Sequence, residues 1–115
     1  MSLTIYHNPR CSKSRGTLAL LEERGLTPTV VEYLKQPPTA EQLDAILKML
    51  GKEPRELMRK GEAAYKEAGL DDPELGRDEL IERMVANPSV IERPIVVKDK
   101  RAAVGRPPEA VLGIL

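Results

Sequence analysis

Leu3-Thr4-Ile5-Tyr6-His7-Asn8-Pro9-Arg10-Cys11-Ser12-Lys13-Ser14-Arg15 changes its periodicity once, and that change decides the fold. Leu3 to Tyr6 alternates and is rich in β-formers, which predicts a strand. His7-Asn8-Pro9-Arg10 reads as a turn. From Ser12 to Arg24, Leu18, Leu21 and Leu20 recur at helical spacing, and Gly25 is placed to end the helix. A strand therefore gives way to a helix at Cys11, the single cysteine of the chain. Thr29-Val30-Val31-Glu32-Tyr33 predicts a second strand. The result is a strand–helix–strand unit, whose strands run parallel through a right-handed crossover.

Downstream, Gln36-Pro37-Pro38 breaks the pattern and a helical stretch follows. Thr39 is an N-cap, Gln42 completes a capping box, and Leu43, Ile46, Leu47 and Leu50 follow at helical spacing before Gly51. Pro54 starts a short helix through Leu57-Met58-Arg59. Glu62 to Leu70 is weakly helical. Asp78 to Ala86 is a clearer helix, with Leu80, Ile81, Met84 and Val85 as its apolar side. After Asn87-Pro88 the period changes again. Ile95-Val96-Val97 suits a buried strand, Lys98-Asp99-Lys100 turns the chain, and Arg101 to Val104 pairs back as a hairpin. Gly105-Arg106-Pro107-Pro108 punctuates, and Glu109 to Leu115 forms a terminal helix. The order β-α-β, helical middle, β-β-α predicts an α/β fold with a mixed sheet of thioredoxin type. One domain is expected over residues 1–115, with a helical insertion at about 37–88.

Composition narrows the function classes. The 115 residues suit one modest core. Eighteen basic and eighteen acidic residues cancel, so no global charge draws the chain to nucleic acid or an anionic membrane. No apolar run approaches bilayer length, and no signal-type segment opens the chain, so a cytoplasmic location is expected. One cysteine forms no internal disulfide. One Cys and one His do not make a structural zinc site, and neither a metal nor a bound cofactor is expected.

The chemistry centres on Cys11. At a helix start, free N–H groups and the positive helix end point at the sulfur and favour thiolate, the nucleophilic form. Arg10, Lys13 and Arg15 add local positive charge. The bland alternative is a small, inert, buried cysteine. Cys11-Ser12-Lys13-Ser14 is a C-x-x-S arrangement. Ser14 can hydrogen-bond the thiolate but cannot resolve a mixed disulfide, so an external thiol must release a modified Cys11. A phosphatase-type loop fails on spacing: Thr17 stands where its arginine belongs, and Arg15 comes too early. Arg59, Arg93 and Arg106 are candidates for binding a tetrahedral oxyanion, set against the reading of each as a solvated surface charge. Pro94 opens the third strand, where thioredoxin-like folds place a cis-proline facing the cysteine. His7 is a base, a charge partner of the thiolate or a hydrogen-bonded turn residue, with a supporting role at the thiolate favoured.

Four separated motifs carry a family resemblance. Ile5 to Arg15, Glu56-Leu57-Met58-Arg59-Lys60, Glu92-Arg93-Pro94-Ile95-Val96-Val97 and Gly105-Arg106-Pro107-Pro108-Glu109 together resemble the glutaredoxin-linked arsenate reductases, in the family's order and over essentially the whole chain. Arg10, Ser12 and Lys13 depart from the plasmid-type enzymes and are closer to a chromosomal subgroup. The resemblance implies a thioredoxin-like domain with a helical insertion. It implies Cys11 as the nucleophile toward arsenate, and Arg59, Arg93 and Arg106 as the oxyanion-binding arginines. His7 matches the histidine that favours the thiolate, with Ser14 and Arg15 as its helix neighbours. Glutathione would attack the cysteine–arsenic adduct, and glutaredoxin would reduce the resulting mixed disulfide. Two other functions stay open at this level. One is glutathione-dependent thiol transfer on another substrate. The other is a thioredoxin-like regulator that binds RNA polymerase, against which Ser14 in place of a second cysteine argues.

Overall fold

Leu3–His7 forms β1, Ser12–Glu23 forms α1 and Thr29–Glu32 forms β2 in the computed structural model, which describes residues 2–115. The later elements are α2 (Ala40–Leu50), α3 (Ala63–Glu67), α4 (Arg77–Ala86), β3 (Ile95–Lys98) and β4 (Arg101–Val104). The sheet order is β2-β1-β3-β4. β1 and β2 are parallel, pairing Ile5 with Val30 and His7 with Glu32. β3 is antiparallel to both β1 and β4, pairing Ile5 with Val96 and Val96 with Ala103. This mixed α/β sheet is thioredoxin-like, as the order of strand and helix signals predicts. Among the described residues, no helix is long and apolar enough to cross a membrane.

The chain divides into two compact units, Met1–Gln36 with Arg93–Leu115, and Pro37–Glu92. The first holds the sheet. Its core is Ile5, Leu21, Val96 and Val111, with Leu3, Leu18, Leu20, Leu26, Ala103 and Ile114 packed against it. Each such side chain contributes about 1.5–3 kcal/mol when fully removed from water. The inner stripe of α1 also buries two hydroxyls, Ser14 and Thr17, beside Leu21. The β3–β4 turn places Asp99 at positive φ, a conformation Asp tolerates, and Asp99 Oδ1 accepts from the Ser2 N–H at 2.9 Å. The terminal segment Pro108–Ile114 is a 3-10 helix rather than the α-helix its composition suggests. A three-residue repeat sets Val111 and Ile114 above one another on the core side.

The second unit packs α2 on α4 through Leu43, Ile46, Leu47, Leu80, Ile81 and Met84. Thr39 and Gln42 form the expected capping box, with bonds of 3.1 and 2.9 Å, and Gly51 ends α2 in the left-handed region that glycine adopts without a Cβ penalty. Arg77 joins Asp44 and Glu53. Hydrogen bonds from Lys48, and then from Arg77, hold the Asp44 carboxyl below its ordinary pKa. Arg55 donates to the carbonyls of Leu70 and Asp72, and Arg83 to that of Ala68. The short helix read through Met58 and Arg59 is a 3-10 turn, Pro54–Leu57. Met58 is extended and bridges Ile91, and the bonds Arg59 N–H to Val90 O and Glu92 N–H to Leu57 O flank it. Pairing with a distant segment overrides local helix propensity here.

Candidate active site

β1 delivers the chain to a tight turn. The Cys11 N–H donates to Asn8 O at 3.0 Å, and Asn8 Oδ1 accepts from the Arg10 N–H at 3.0 Å. Arg15 braces the turn from α1, its Nη1 donating to Pro9 O at 3.0 Å. Cys11 is the N-cap of α1, extended and partly exposed, and its carbonyl accepts the first helical bond from the Arg15 N–H. The sulfur therefore stands where N–H groups lack carbonyl partners. Burial pushes the Cys11 thiol pKa up. Hydrogen bonds from the backbone N–H groups of Ser14 and Lys13, with the hydrogen bond and charge of Arg93, outweigh burial and hold the thiol below its ordinary value. Arg106 Nη1 lies 4.0 Å from Sγ and donates to the Arg93 carbonyl at 3.2 Å.

Ser14 acts through its backbone rather than through the hydroxyl donation to sulfur that the sequence suggests. Its Oγ accepts from the Asn8 N–H at 3.0 Å and lies 2.5 Å from His7 Nδ1. Ser14 Oγ thus ties the Asn8 N–H and the His7 ring into one buried cluster. His7, Asn8 and Ser14 are all buried. Burial lowers the His7 pKa, Glu32 works against this and Arg15 adds to it, with a net downward shift. Burial thus favours the neutral ring of His7. His7 fixes Ser14, whose N–H reaches the thiolate.

The far side of the site comes from the hairpin half of the first unit. The Arg93–Pro94 peptide is cis, and Pro94 is buried at the start of β3. Pro94 O accepts from the Gly105 N–H at 2.9 Å, directly before Arg106. The structure thus gathers Cys11, Ser14, Arg93 and Arg106, with His7 behind Ser14 and Arg15 against the turn. Arg59 belongs to the second unit, where its Nε is 4.0 Å from Glu62 Oε1. Sequence reasoning passed over two buried polar residues, Asn8 and Thr17. Thr17 carried a signal: it interrupts the apolar stripe of α1 on the side that faces the core. Beside the turn lies a cavity of about 420 Å³, rimmed by Arg10, Glu32, Leu34 and Lys35. Among the described residues no group of three His, Cys, Asp or Glu side chains is arranged to hold a metal ion.

A thiolate bounded by N–H donors and two guanidinium groups can hold a tetrahedral oxyanion and attack its central atom. Residues 6–114 match the sequence model of the ArsC family. The chain is 47% identical to an arsenate reductase of Neisseria meningitidis serogroup A over 98% of its own length and 97% of that protein's. It is 55% identical to YfgD, an uncharacterized protein of Escherichia coli K12, over 96% of this chain and 94% of that one. Its structure superposes on an arsenate reductase from Vibrio cholerae with a TM-score of 0.95 at 52% identity, covering 100% of this chain and 98% of that one.

Proposed function

From the premise that this chain belongs to the ArsC family, we propose that it reduces arsenate to arsenite through the Cys11 thiolate, with glutathione and glutaredoxin as reductants. The observation that carries this reading is the Cys11 sulfur itself, hydrogen-bonded by the N–H groups of Ser14 and Lys13 and by Arg93, with Arg106 beside it. The thiolate attacks As(V) and forms an S–As bond as one oxygen leaves as water. Arg93 and Arg106 bind the oxyanion and neutralise charge on its oxygens. The resemblance adds Arg59 to that set on sequence grounds. Glutathione then attacks the cysteine–arsenic adduct, and the S–As electron pair takes arsenic to As(III). Two thiols become one disulfide, and one arsenate becomes one arsenite and one water. Glutaredoxin reduces the mixed disulfide and restores Cys11.

The chain's single cysteine supports an external reductant, because no second thiol is available to resolve the adduct. The cavity beside the turn supports a small peptide thiol as the first of these. Arg10 and Lys35 suit carboxylates, and Glu32 suits an ammonium group. The test is arsenite formation from arsenate with glutathione and glutaredoxin present. Wild-type protein turns over and Cys11→Ser does not. A wild-type protein that forms no arsenite under these conditions removes arsenate as substrate, and glutathione-dependent transfer to another acceptor becomes the reading to test.

A further inference from the structure

We propose that Thr17 and Gly105 are positioning residues that set where the Arg106 guanidinium stands relative to Cys11 Sγ. The inference rests on the reading of Arg106 as an anion-binding group at that sulfur, and the experiment below separates the two. An exposed arginine carries about 2 kcal/mol of rotamer entropy. It holds one geometry at a reactive atom only when its backbone is fixed nearby. The backbone before Arg106 is fixed unusually closely. A Cβ at Gly105 would overlap Thr17 Oγ1, and would lie 2.8 Å from Pro94 Cγ and 3.0 Å from Thr17 Cγ2. Neither neighbour yields easily: Pro94 is a ring, and Thr17 is β-branched, fully buried and tied by Oγ1 to Lys13 O at 2.8 Å. The same hydroxyl reaches the Gly105 carbonyl at 3.4 Å.

Gly105 is therefore clamped between Thr17 of α1, the helix that Cys11 caps, and Pro94, which follows Arg93 and precedes β3. One residue earlier on α1, Gly16 keeps the helix surface low. A Cβ there would meet Pro108 Cγ at 3.4 Å, so the chain after Arg106 also lies close against α1. Arg106 leaves this clamp with its N–H on Val104 O at 2.9 Å and its Nη1 on Arg93 O. The distance from guanidinium to sulfur is thus set by a backbone contact, and Thr17 is one face of it. Thr17 touches neither the sulfur nor an anion in this arrangement; its action passes through Gly105.

The readout is the ratio of Cys11 alkylation rates with iodoacetate and with iodoacetamide, on the full chain. Both reagents use the same thiolate, so the ratio cancels the thiol's ionisation and reports positive charge at the sulfur. Arg106→Ala should lower the ratio by up to about fivefold. Thr17→Val, which keeps the shape and removes the hydroxyl, should lower it part of that way. Thr17→Ser should restore the wild-type ratio, and Gly105→Ala should lower it as Arg106→Ala does. If Gly105→Ala does not fold, the Thr17 pair decides alone. A folded Thr17→Val protein with the wild-type ratio, beside an Arg106→Ala protein with a reduced one, overturns the positioning role and leaves Arg106 in place. An Arg106→Ala protein with an unchanged ratio overturns the proposal from the other side, whatever the arsenite assay reports.

Discussion

The two units bury different kinds of side chain. In the sheet-bearing unit, the buried residues include His7, Asn8, Ser14 and Thr17. In the helical unit Pro37–Glu92, the buried side chains are apolar, from Leu43 and Leu47 to Met84 and Ile91. Arginines divide in the same way. Arg55, Arg77 and Arg83 of the helical unit are committed to carbonyls and carboxylates of that unit. Arg93 and Arg106 are turned to a sulfur. The helical unit is built as ordinary cores are, from transfer of hydrocarbon out of water, with charges at its rim. The other unit gives up part of that simplicity around Cys11. There, His7, Asn8, Ser14 and Thr17 leave water with hydrogen-bond partners in place.

This contrast can be broken in order of expected effect. Leu47→Ala in the helical unit should cost about 2–5 kcal/mol in denaturant unfolding, the range for a fully buried leucine. A loss under about 1 kcal/mol would mean that this core collapses around the gap or was loosely packed. Ser14→Ala should cost about 1–3 kcal/mol, because it removes one hydroxyl and strands two buried groups, the Asn8 N–H and His7 Nδ1. Its Cys11 alkylation profile should shift less with pH than that of Arg93→Ala, since the Ser14 N–H remains. Equal shifts would return the hydroxyl to a direct role at the sulfur. Thr39→Ala, which opens the capping box of α2 at an exposed site, should cost about 1 kcal/mol.

The contrast also has a pH signature. The folded protein holds His7 below its ordinary pKa, mainly by burial. Unfolded chains bind the proton first as pH falls below about 6.5. Stability should then be fullest above that value and decline as pH drops toward the lower folded pKa. His7→Gln should flatten that part of the curve in urea unfolding measured across pH. An unchanged slope would place the acid sensitivity on other groups.

Features encoded within a few residues were legible before the structure. β1, α1, the parallel β2, the Thr39–Gln42 cap and the β3–β4 hairpin all follow from period, cap chemistry and turn residues lying close together. Cys11 as the helix opener was legible for the same reason. Partnerships across long stretches of chain were not. Met58 pairs with Ile91 and is extended, although Pro54 and its neighbours are locally helical. Thr17 meets Gly105 across 88 residues, and local patterning cannot show that meeting. Ser14 was visible as a polar neighbour of the cysteine. The direction of its hydroxyl was not, because it depends on where β1 leaves His7 and the Asn8 amide. Polar satisfaction is a three-dimensional condition, and a one-dimensional pattern records only that a polar residue sits on an inward stripe.

β1 and β3 occupy the middle of the sheet, each laddered on both sides. One leads into the Cys11 turn, and the other begins directly after Pro94. In amide hydrogen exchange, interior ladder positions such as Ile5 and Val96 should open only with the whole unit, while the rim strands β2 and β4 fray sooner. The reactive atoms are thus suspended from the slowest-breathing part of the chain, so thermal fluctuation at the periphery need not disturb their alignment.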